Sequence, residues 1–63
     1  MSPLEWAVPR IMLLASGYSD ELIWQMAGTA LRNPGIPLVF QGHYGLEQIT
    51  RTGDGWEITA ARR

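Results

Sequence analysis

Asn33-Pro34-Gly35 divides this chain into two halves written in different periods. Before it, apolar residues recur every three or four positions, the spacing of a helix face; after it they alternate or run in short blocks, as strands do. Pro34 cannot continue a helix, and Gly35 accepts the left-handed conformation that ends one. A chain divided this way places helices first and strands second, which is the α+β class, here a single domain over residues 1–63.

In the first half, Ser2-Pro3-Leu4-Glu5 reads as a helix start, with Ser2 as cap, Pro3 at the first helical position and Glu5 closing a capping box. The pattern predicts a helix over 3–16, ended by Gly17 in the left-handed region and kinked at Pro9, which removes one backbone hydrogen bond. Ser19 caps a second helix, predicted over 20–32, with Asp20 and Glu21 in its first turn, Arg32 in its last and Tyr18 stapled onto Ile23.

The second half predicts three short antiparallel strands: Ile36–Gln41, confined to an edge by Pro37, then Leu46–Arg51 and Trp56–Ala61. Gly42-His43-Tyr44-Gly45 reads as a loop. Thr52-Gly53-Asp54-Gly55 is a hairpin turn in which Gly53 or Gly55, preferably Gly55, is expected at positive φ. Hairpin parity puts Ile49, Trp56, Ile58 and Ala60 on one face and Gln48, Thr50, Glu57 and Thr59 on the solvated one. The first face is expected to pack on the second helix through Leu22, Met26 and Ala30.

A chain of 63 residues buries only ~60% of the surface its unfolded form exposes, and with no cysteine it has no disulfide to offset the ordering cost. The 46% apolar content excludes a disordered tail. A net charge of −1 gives no strong pull toward nucleic acid or an anionic membrane. Every basic residue is arginine, a side chain well suited to protein surfaces, and the absence of lysine leaves sheet edges without their usual guard. The longest unbroken apolar run, residues 11–15, is far short of the ~20 a spanning helix needs, and no secretory signal is legible. The chain is therefore expected to be cytoplasmic and, beginning at Met1 without tag or linker, a complete small reading frame.

The apolar load exceeds what two layers can hide. On a helical wheel, Leu4, Val8, Ile11, Met12 and Ala15 form one side of the first helix while Trp6 and Leu13 fall on the other. In the second helix Leu22, Ile23, Met26, Ala27 and Ala30 make a core stripe, and Trp24 and Leu31 lie beyond it. Either the bend at Pro9 turns both faces of the first helix inward, or Trp6, Leu13, Trp24 and Leu31 form a patch that buries against another chain. A third reading, an interfacial membrane helix, calls for more basic residues than this helix carries. The patch is taken as the candidate interface, with His43 and Tyr44 as a secondary contact.

Candidate chemistry is thin. There is no cysteine or lysine nucleophile, and Ser2, Ser16 and Ser19 sit at helix ends where capping explains them. His43 with Glu47 or Asp54 makes a general-base pair only on paper, because a glycine-flanked loop gives no rigid support. Gly53-Asp54-Gly55 lacks the repeated acids of a calcium loop, and no helix start follows the glycines as a phosphate loop requires. No enzyme, cofactor or metal is expected.

The expected function is a small protein-interaction module, self-associating as a homodimer, binding and modulating a larger protein, or both. A phage or mobile-element inhibitor of a host protein is one form of it. A symmetric pair would also let the first strand cover its edge. The alternative is a winged-helix-like DNA-binding regulator using Arg51, Arg62 and Arg63. Against it, Asp20, Glu21 and Gln25 with a single arginine make a poor recognition face.

Overall fold

The first helix, α1, runs from Pro3 to Leu14 in the computed structural model, which describes residues 3–61 of the chain. The expected cap at Ser2 and the arginines 62 and 63 lie outside the described residues. Pro9 has no N–H to donate, yet the helix is not split there: the proline is exposed, and Ala7, Val8 and Ile11 are buried. The helix ends two residues earlier than its apolar pattern predicts, because its last turn bonds elsewhere. The Leu14 carbonyl accepts from the His43 N–H at 3.0 Å and the Ser16 N–H donates to the Gln41 carbonyl at 3.0 Å. Gly17 then turns the chain at φ 80°, the left-handed conformation that glycine takes without strain.

The second helix, α2, spans Asp20–Arg32 as predicted. The Ser19 hydroxyl accepts from the Leu22 N–H at 3.2 Å, satisfying a donor that has no helical partner. The Asn33 side chain donates to the Thr29 carbonyl at 2.8 Å, and Gly35 follows at φ 84°. Ser19→Ala is expected to lower stability by about 1 kcal/mol; urea denaturation followed by circular dichroism measures it.

Three strands, β1 (Leu38–Gly42), β2 (Gly45–Arg51) and β3 (Trp56–Ala60), form an antiparallel sheet in the order β1-β2-β3. The first strand is displaced from its expected range: Ile36 and Pro37 precede it, and Gly42 joins it. The segment 42–45 is a hairpin rather than a loop, with Gly42 paired to Gly45 across the two-residue tip His43-Tyr44. No non-glycine residue has positive φ among the described residues, and Gly45 carries the turn at φ 124°.

The β2–β3 turn corrects an expectation. Neither Gly53 nor Gly55 has positive φ. Thr52 and Gly55 close the turn through an N–H to carbonyl bond of 2.9 Å, and the Arg51 guanidinium also donates to the Gly55 carbonyl at 2.6 Å. This wider closure does not need the left-handed residues of a two-residue turn.

The hairpin parity is as predicted: Ile49 lies opposite Ile58, and Gln48, Thr50, Glu57 and Thr59 share the other face. The core is Ala7, Val8, Ile11 and Ala15 with Ile23, Ala27, Ala30, Phe40 and Ile49. Leu22 is not in it, contrary to expectation, and Met26 is half-buried; Ile23, Ala27 and Ala30 are the buried side of α2. The rotation of α2 follows from its entry, since the Tyr18 hydroxyl accepts the Gln41 N–H at 2.8 Å and so ties the start of the helix to β1. Met12 is likewise exposed rather than inward. The Cα atoms extend 27 × 26 × 15 Å, and the shortest dimension admits one helical layer on one sheet.

Candidate functional site

Trp6, expected on an exposed face, instead stacks on Trp56, with ring centroids 6.4 Å apart and planes at 16°. Arg51, opposite Trp56 across the hairpin, lies 5.4 Å from that ring, and Arg10, one turn beyond Trp6, lies 4.9 Å from the Trp6 ring. Both guanidiniums are thus engaged with aromatic faces, an attraction between cation and ring quadrupole. Trp56 pays a penalty in this cluster, since its indole N–H is buried without a hydrogen-bond partner. Sequence reasoning put Trp56 on the core face but did not see that Trp6 would close over it.

The other members of the predicted patch separate. Leu13 is 76% exposed and Trp24 46% exposed, whereas Leu31 is half-buried. Met12 and Leu22, assigned by the wheel to core stripes, are exposed beside them in sequence. The connection between α1 and α2 is only five residues, 15–19, so the last turn of α1 and the first turns of α2 lie at one end of the helical layer. The apolar set there is therefore Met12, Leu13, Leu22 and Trp24. The wheel missed two of these because it ranks positions within one helix, while the rotation of each helix is set by tertiary bonds from Leu14, Ser16 and Tyr18 to β1.

His43 and Tyr44 occupy the tip of the β1–β2 hairpin, where Tyr44 is 91% exposed. Val39 and Leu46 are exposed on the sheet face away from the helices, where they sit diagonally on neighbouring strands among Gln41, Gln48 and Thr50. Their alternation with glutamine was legible in the sequence as an outer face and was not singled out.

Among the described residues, no three His, Asp or Glu side chains come together as a metal site would need. Nor is any helix long and apolar enough to cross a membrane. His43 has no hydrogen bond from its ring, and Glu47 lies on β2 while Asp54 lies in the distant β2–β3 turn. The geometry offers contact surfaces rather than a reaction centre. Neither the family models, nor the curated proteins, nor the solved structures include a match to this chain.

Proposed function

We propose that the protein is a non-enzymatic protein-interaction module, and that it engages a larger protein through the end of the helical layer that carries Met12, Leu13, Leu22 and Trp24. The observation behind this reading is the 76% exposure of Leu13 in the last turn of a helix, next to three further large apolar side chains left open to water. Contiguous apolar surface on a small domain is retained where a partner covers it, and tryptophan is over-represented among residues that dominate binding energy. Modulation of that partner, as by a phage- or mobile-element-encoded inhibitor, follows as one use of such a surface.

The nucleic-acid reading has less support. Arg10 and Arg51 are turned onto tryptophan rings, and α2 exposes Asp20 and Glu21 at its start. A phosphate-reading face gathers free cations instead.

Leu13→Glu tests the interaction surface. The side chain is mostly in water already, so the variant should unfold within about 0.5 kcal/mol of wild type. It should also lose the proteins that the wild-type chain retains from an extract of its native host, as read by mass spectrometry. Retention of the same proteins by both forms would rule this surface out.

A further inference from the structure

The two edges of the sheet are not equivalent. On β1, the outward-facing groups of Gln41 are met within the chain: its N–H bonds the Tyr18 hydroxyl and its carbonyl accepts from Ser16. His43 beyond it donates to Leu14, and Pro37 before it has no N–H at all. Only Val39 keeps both groups open along that edge, so the chain closes its own β1 side.

The β3 edge has no such cover. The Ala61 N–H donates to the Leu46 carbonyl, which fixes the alternation along β3. Residues 57, 59 and 61 bond β2, and the N–H and C=O groups of Trp56, Ile58 and Ala60 point away from the sheet. Among the described residues none of those three has a hydrogen-bonded partner on that side. The strand carries no lysine, proline or bulge to deter pairing, and its one charge, Glu57, lies on the outer sheet face.

We infer that β3 is a self-pairing edge, and that its occupant is the β3 strand of a second copy of this chain, antiparallel and centred on Ile58. The register is selected by the residues. Centred there, Trp56 falls opposite Ala60 of the second copy, a large side chain beside a small exposed one, and Glu57 falls opposite Thr59. The three outward N–H and three outward C=O groups of each copy all find partners. Sliding by two residues in one direction sets Glu57 against Glu57 of the second copy, and in the other direction carries Trp56 past the end of the strand. The two-fold axis runs through the sheet, giving a continuous six-stranded sheet with both helical layers on one side. This surface is distinct from the exposed end of the helices, and a dimer through it leaves Leu13 and Trp24 open.

Analytical ultracentrifugation from micromolar to millimolar concentration, with nuclear Overhauser spectroscopy on a mixture of isotopically labelled and unlabelled chains, tests the pairing. Wild type should sediment as a dimer and show an inter-chain contact between the Hα atoms of Glu57 and Thr59, which face each other only in this register. Ala60→Pro deletes an N–H that has no bond in the monomer and should weaken the dimer at least tenfold, while Leu13→Glu should leave it unchanged. A wild-type monomer throughout that range overturns the inference. So does a dimer that lacks the Glu57–Thr59 contact, or one that Leu13→Glu dissociates while a folded Ala60→Pro does not. Should Ala60→Pro not fold, the inter-chain contact in wild type decides the question alone. Loss of host-protein binding by Leu13→Glu is independent of all these outcomes.

Discussion

Phe40→Ala is expected to cost the domain about 3–5 kcal/mol, the usual range for removing a buried aromatic side chain. Phe40 is 2% exposed at the centre of β1, the edge strand whose outward groups are tied to the α1–α2 connection. Its ring belongs to the same core as Ala7, Val8, Ile11 and Ile49, residues drawn from α1 and β2. Many of its neighbours are alanines, which have no rotamers to move into the space left behind, so the cavity should relax little. A 63-residue domain at roughly 0.05–0.15 kcal/mol per residue holds on the order of 3–9 kcal/mol in all. The variant should therefore be largely unfolded at 37 °C. Chemical denaturation of both forms, followed by tryptophan fluorescence and circular dichroism, gives the difference directly. A loss below about 1 kcal/mol would show that β1 contributes little to the core.

The break at Asn33-Pro34-Gly35, the cap at Ser19 and the parity of the β2–β3 hairpin were all legible in the sequence, for a shared reason. Each rests on chemistry confined to a few neighbouring residues: a missing N–H, a hydroxyl within reach of an amide three positions on, a two-residue side-chain period. What was not legible depends on residues far apart in the chain. Ser16 reads as helical until Gln41, 25 positions later, offers its N–H a carbonyl. Leu22 and Ile23 are equally good core candidates on a wheel, and the bond from Gln41 to Tyr18 decides between them. Trp6 looks unpartnered until β3 brings Trp56 beneath it. The candidate surface inherited the same uncertainty: Leu13 and Trp24 were identifiable as surplus apolar bulk, whereas Met12 and Leu22 joined them only once the helix rotations were fixed.

The glycines show that distinction at its sharpest and lead to the second large effect, Gly42→Ala. The sequence pointed to Gly53 and Gly55 because Asp-Gly between two apolar runs is a strong turn signal. Yet a Cβ on Gly53 would meet nothing within 4 Å, and its φ is not positive. Alanine at position 53 is therefore expected to be neutral, or stabilising by up to about 1 kcal/mol, because it narrows the unfolded ensemble. At Gly42 the φ is also unexceptional, but a Cβ would lie 2.7 Å from the Glu47 Cγ, 3.0 Å from the Gly45 carbonyl oxygen and 3.1 Å from the Leu14 carbonyl oxygen. The Glu47 side chain can swing aside. The two carbonyls are backbone, and that of Leu14 is held by the His43 N–H at the point where α1 meets β1. Gly42→Ala must therefore part α1 from the sheet edge or distort the hairpin at Gly45, and overpacking of this kind costs about 1–3 kcal/mol. Paired urea titrations of the two variants should move the midpoint down for Gly42→Ala and leave it in place or raise it for Gly53→Ala. Faster hydrogen exchange at the Ser16 and His43 amides in the first variant alone would place the strain at the α1–β1 junction. Equal destabilisation by both would mean that backbone freedom, not the close approach of α1 to β1, is what position 42 requires.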